Sequence, residues 1–132
     1  EAKEHWWKNN IELQNHHGGM IQLGDYIYLG HKHNNGFPTC IEWKSGAIKW
    51  GGKDNRGAGK GSAAILYADG NIIFRYQDGL VALVGANPNT YELKATFKPV
   101  FQEGKSWAHP VVLDGKLYLR EQDVLMCYDL RG

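Results

Sequence analysis

Short apolar runs separated by polar pairs set the rhythm of this chain. "MIQLGDYIYLG", "AILYADGNIIFRY" and "PVVLDGKLYLR" are each an apolar run, a two-residue turn and a second apolar run. The runs are too short for helices and rich in β-branched and aromatic residues, so they predict strands. Their turns, Gly24-Asp25, Asp69-Gly70 and Asp114-Gly115, recur every 45 residues. Asp-Gly between such runs predicts a hairpin turn with positive φ at both central residues, and Gly-Asp fits the related turn with glycine first.

A third run follows each hairpin ("PTCIEW", "GLVALVGA", "DVLMCYDL"), and a fourth follows the first two ("AIKW", "YELKATF"). Four strands per unit at this period predict an all-β fold built from antiparallel β-propeller blades. The near-continuous apolar character of the inner runs suits sheets covered on both faces. The units span residues 16–52, 61–99 and 106–132, the last without its own fourth strand. Residues 1–10 are expected to supply strand D of a preceding or closing blade. Trp7 stands 17 residues before Gly24, as Phe97 stands 17 before Asp114. Propellers typically close with about 4–8 blades. The expected partners are therefore the remaining blades of a larger propeller, or other copies of this chain.

Charge narrows the function classes. Fifteen Lys and Arg against fourteen Asp and Glu leave +1 over 132 residues, so no strong field points to nucleic acid or an anionic membrane. No apolar run approaches the roughly 20 residues of a membrane-spanning helix. The glycine-rich "KDNRGAGKG" (53–61) neither follows a strand nor carries the Lys-Ser/Thr pair of a phosphate loop, and reads as a connection. Cys40 and Cys127 have no metal-site spacing and read as buried free thiols within strands.

"CIEWKSGAIKW" resembles the tryptophan-docking motif of pyrroloquinoline-quinone (PQQ) type propellers, A-x-D-x-x-T-G-x-x-x-W. Cys40 stands for the alanine, Glu42 for the aspartate and Ser45 for the threonine; Gly46 and Trp50 match directly. Ser-Gly would turn strand C into strand D, and the indole would wedge between blades. "CYDLRG" repeats the start of the motif through Cys127 and Asp129. The middle unit departs from it, with an Asn-Pro-Asn turn and Phe97 in place of the tryptophan. The whole chain, and its ending "KLYLREQDVLMCYDLRG" in particular, resembles the C-terminal blades of PQQ-like repeat proteins of planctomycete-type bacteria. The resemblance implies a periplasmic or extracellular protein. It covers both PQQ- and calcium-dependent dehydrogenases of alcohols or sugars and non-enzymatic scaffold members.

The candidate chemistry gathers at one end of the units. The hairpin register set by Gly24-Asp25 places His16 opposite His33 and Gly18 opposite His31, with His17 opposite Lys32 on the other face, provided the register survives Gly18-Gly19. Three imidazoles on one face, His16, His31 and His33, could bind a divalent metal, line a ligand site or bond loop backbone. The repeat makes Gly30, Arg75 and Arg120 equivalent, and the third hairpin sets His109 opposite Arg120 and Trp107 opposite Gln122. The expected rim therefore comprises His16, His31, His33, Asn34, Asn35, Arg75, Gln77, Trp107, His109, Arg120 and Gln122. Guanidinium, amide and indole groups suit a carboxylated quinone, a sugar or a protein partner. The competing reading pairs the arginines with Asp78, Glu121 or Asp123.

No nucleophile elbow or catalytic triad is legible, and no carboxylate set for calcium and a catalytic base can be assigned. The expectation is a non-catalytic binding or scaffold propeller. The alternative is part of a PQQ-type oxidoreductase acting on an alcohol or sugar.

Overall fold

The computed structural model describes residues 1–52 and 57–132. Part of the glycine-rich connection, residues 53–56, lies outside the described residues. All described regular structure is β, in three antiparallel sheets. The first runs in the order β1 (Asn15–Leu23), β2 (Tyr26–His31), β3 (Phe37–Glu42), β4 (Ile48–Trp50). The second is β5 (Ala63–Ala68), β6 (Asn71–Tyr76), β7 (Val81–Gly85), β8 (Leu93–Phe97). The third has three strands, β9 (Val111–Leu113), β10 (Lys116–Glu121) and β11 (Val124–Asp129).

The turns behave as their residues predict. Asp69 and Gly70 have φ of 47° and 74°, and Asp114 and Gly115 have 49° and 71°. At Gly24-Asp25 only the glycine is in the left-handed region, with φ 58°, as a turn with glycine first requires.

The second sheet lies between the other two. One of its faces (Ile72, Phe74, Ala82 and Val84) shares a buried cluster with Tyr28, Cys40 and Trp50 of the first sheet. Its opposite face (Ile73 and Val81) shares another with Leu117, Leu119 and Met126 of the third. This double burial explains why β6 and β7 are apolar without alternation. The initial strands β1, β5 and β9 lie beside one another.

Two tryptophans tie this assembly together. The Trp50 indole packs between Tyr28 and Tyr91, at ring separations of 6.0 and 5.5 Å. Its Nε1 donates to the Asn87 carbonyl of the second sheet's final turn at 2.7 Å. Trp6 Nε1 donates in the same way to the Trp43 carbonyl of the first sheet's final turn, at 2.5 Å. Each donor lies 37 residues before its acceptor. Gly46 admits the Trp6 ring: its φ is 71°, and a Cβ there would lie 2.8 Å from Trp6 Cδ2.

The expected strand in residues 1–10 does not form. This segment is irregular and ends in a turn whose Asn9 Oδ1 accepts from the Ile11 and Glu12 amides at 2.9 and 3.1 Å. A fourth strand must pair with a third strand of its own sheet, and no such neighbour precedes it among the described residues. Trp6, rather than Trp7, is the docked indole; Trp7 is 71% exposed.

The docking-motif turn is assembled as its residues require. Ser45 Oγ donates to the Glu42 carboxylate and accepts from the Ala47 amide at 3.2 Å, while Gly46 N donates to the Glu42 carbonyl at 2.8 Å. Asp129 plays the matching part in the third sheet, accepting from the Arg131 amide and guanidinium at 2.9 and 2.7 Å. Of the two cysteines, Cys40 is buried, but Cys127 is exposed, which corrects the expectation of two buried thiols. Cys127 stands on the face of the third sheet that no other sheet covers among the described residues.

Candidate functional site

The rim residues occupy one end of all three sheets, where β2, β6 and β10 finish and β1, β5 and β9 begin. The first sheet changes register there. Met20 pairs with Leu29 as the hairpin dictates, but Asn15 pairs with His31, with a bulge between. The glycines cause it. Gly19 takes a φ of 77°, and Gly18 passes so close to β5 that a Cβ would lie 1.7 Å from the Ala63 carbonyl oxygen. The expected pairings of His16 with His33 and Gly18 with His31 are therefore replaced, and His31 is turned away from the rim. It is 2% exposed, and its Nδ1 accepts from the Gln14 amide at 3.0 Å. Burial, aided by the Lys32 charge, holds it below the ordinary histidine value.

The bulge nevertheless gathers four other histidines. His16 lies 4.1 Å from the His33 ring and 4.6 Å from His17. His17, expected on the opposite face, lies 5.4 Å from the Trp107 indole. His109 Nε2 hydrogen-bonds the His17 carbonyl at 2.9 Å, and His16 Nδ1 meets Ser62 Oγ at 2.6 Å. Burial, then the neighbouring His16 and His109, push His17 below its ordinary value. Its Nε2 is buried without a partner. In the turn that carries His33, Asn35 Nδ2 donates to the His33 carbonyl at 2.8 Å, and exposed Asn34 takes a φ of 58°.

The histidine nitrogens do not converge on a point. Among the described residues no three His, Cys, Asp or Glu side chains are arranged to hold a metal ion. His16, His31 and His33 are thus not a ligand set, because His31 is buried elsewhere and His16 is engaged by Ser62. A calcium-bound quinone is no better served. Among the described residues the one buried carboxylate at this end, Glu121, is already engaged by hydrogen bonds.

Arg75 is one of the donors to Glu121 and departs from the expected rim. It is 1% exposed, and donates to Glu121 Oε2 and to the Gly79 carbonyl, each at 2.9 Å. Glu121 also accepts from Ser106 Oγ, and from the Gly104 amide at 3.1 Å. Burial would raise the Glu121 carboxyl, but these donors outweigh it and hold the group below its ordinary value. Arg75 therefore joins the second sheet to the third.

Trp107 and His109 also differ in detail from expectation. Neither pairs across a strand, because β9 begins only at Val111; both lie in the preceding loop. Trp107 is 47% exposed, and its Nε1 donates to Gln77 Oε1 at 2.8 Å. Lys105 Nζ stands 5.1 Å from its ring centre. The indole also lines a groove of about 730 Å³ together with Lys105, Arg120, Gln122 and Asp123. Arg120 Nε donates to the Gln122 carbonyl at 2.9 Å.

The sequence reading omitted His17, Ser62 and Lys105 from the rim. The Gly18-Gly19 pair was the one signal that could have redirected His17, since glycine pairs mark bulges. No family model and no curated protein matches the chain.

Proposed function

We propose that this chain is a segment of a PQQ-like β-propeller that binds rather than catalyses, presenting a His- and Trp-rich rim to a carbohydrate ligand. The blade reading is supported by the 45-residue repeat, the central sheet buried on both faces and the matched docking of Trp6 and Trp50. The single observation that carries the binding reading is Trp107. Its indole is half exposed, its nitrogen is held by Gln77, its ring lies 5.4 Å from His17 of the histidine cluster, and Lys105 stands over it. An oriented aromatic face flanked by amides, imidazoles and cations suits a sugar ring, which stacks its C–H face and hydrogen-bonds at its edge.

The test is tryptophan fluorescence titration with a panel of neutral and carboxylated oligosaccharides. A saturable change is expected for at least one of them. Trp107→Ala should abolish it and leave the thermal melt within about 0.5 kcal/mol of the parent, as exposed positions usually do. A panel giving no saturable response, or a response that survives Trp107→Ala, would refute the carbohydrate reading.

A further inference from the structure

The outward face of the third sheet is not an ordinary exposed surface, because the 45-residue repeat shows what its equivalents do. Ile21, Leu66 and Val111 are equivalent positions, as are Tyr28, Ile73 and Tyr118. In the first sheet Ile21 and Tyr28 pack against the second, and in the second sheet Leu66 and Ile73 pack against the third. In the third sheet the same face meets solvent: Val111 on β9 is 53% exposed, and Leu125 on β11 is 70% exposed. Cys127, paired with Tyr118 on this face, is exposed as well.

The polar end of the same face says more about the occupant. Arg120 is the equivalent of Arg75, whose guanidinium crosses to Glu121 of the next sheet at 2.9 Å with both side chains 0% exposed. Arg120 is exposed, and among the described residues no carboxylate lies within ion-pair distance of it. We infer that this face seats a further sheet of the same repeat, and that this sheet carries a carboxylate at the position equivalent to Glu121, which pairs with Arg120. The inference rests on the propeller reading above and adds the identity of the latch.

A second copy of this chain, stacked head to tail, does not meet that requirement. Its first sheet bears His31 at the equivalent position, buried and bonded to the Gln14 amide. Its receiving face also borders residues 6–13, since Trp6, Trp7 and Leu13 line one cavity with Leu29 and Ile41. An unpaired guanidinium against an imidazole would be disfavoured, whereas a carboxylate would satisfy its fork.

The experiment extends the full chain after Gly132 with a second copy of residues 88–132, whose cysteine is replaced by serine. This supplies a fourth strand for the third sheet and a following sheet whose glutamate faces Arg120. Cys127 reactivity toward an aromatic disulfide should fall at least tenfold relative to the parent chain. Arg120→Gln and the appended Glu→Gln should each lower the melting temperature of the extended chain. Together they should lower it by clearly less than the sum of the two shifts, and Arg120→Gln should leave the melting temperature of the unextended parent unchanged. Protection of Cys127 with additive shifts would overturn the carboxylate latch while leaving the propeller reading in place. An unprotected Cys127 would overturn both. Concentration-dependent protection of Cys127 in the unextended parent would identify a second copy as the occupant and overturn the inference.

Discussion

Arg75 and Glu121 form an ion pair 2.9 Å long between the second and third sheets, with both side chains wholly removed from solvent. They are 46 residues apart, one repeat plus one position. Removing one member leaves a buried charge without its partner, which typically costs about 3–5 kcal/mol. Glu121→Gln should therefore lower the unfolding free energy by an amount of that order in a urea titration. The paired change Arg75→Met with Glu121→Leu should recover most of the loss, since an apolar pair removes the desolvation cost from both partners. An unchanged midpoint for Glu121→Gln would mean that the pair is not buried in solution.

Trp50→Ala removes an indole that is 9% exposed and lies within the larger core cluster. Truncation of a buried aromatic typically costs about 3–5 kcal/mol. Trp6→Phe keeps most of the ring but deletes the hydrogen bond to the Trp43 carbonyl, a loss of about 1 kcal/mol. Trp7→Ala should stay within about 0.5 kcal/mol of the parent. Chemical denaturation of the three variants checks the order; equal effects at Trp6 and Trp7 would contradict docking of Trp6.

Acidification should act in two windows. His17 and His31 are both held below the ordinary value of 6.5 in the folded chain. Below that value the unfolded chain takes up more protons than the folded one, so stability falls as pH drops through about 6.5 and levels off below the folded values. Glu121 is held below 4.5. Its stabilisation is present above 4.5 and is lost as pH falls through its lower folded value. Unfolding midpoints measured from pH 8 to pH 3 should show both descents, and His31→Gln should flatten the upper one. A midpoint constant between pH 7.5 and pH 5.5 would contradict the histidine contribution.

The two thiols should differ sharply in reactivity. Burial pushes Cys40 up to about 11, whereas Cys127 is exposed. Because the thiolate is the reactive form, one equivalent of aromatic disulfide should react with the native chain at pH 8, and a second only on unfolding. Cys127→Ser should abolish the fast phase; two fast equivalents would show that the first and second sheets open readily.

Period, turn chemistry and strand patterning were legible in the sequence because they are local. Asp-Gly forces its own turn, and an apolar run four to six residues long has few alternatives to a strand. The Ser45-Gly46 turn was legible for the same reason, whereas the docking of Trp50, whose partners Asn87 and Tyr91 lie in the next sheet, was legible only through the resemblance of its motif. What the sequence left open depended on distant atoms. The Gly18-Gly19 bulge lies where β1 approaches Ala63, 45 residues from Gly18, too closely for a side chain. It moves His31 inward and brings His17 beside Trp107 at the rim, overriding the simple hairpin register. Arg75 and Arg120 are equivalent by sequence, yet one is buried and the other exposed, because only one has a neighbouring sheet with a carboxylate to receive it. Residues 1–10 carry the pattern of a strand, but a strand needs a partner ladder, and none among the described residues reaches them. Local conformational preference determined the elements; packing between sheets decided which polar groups became core and which remained at the rim.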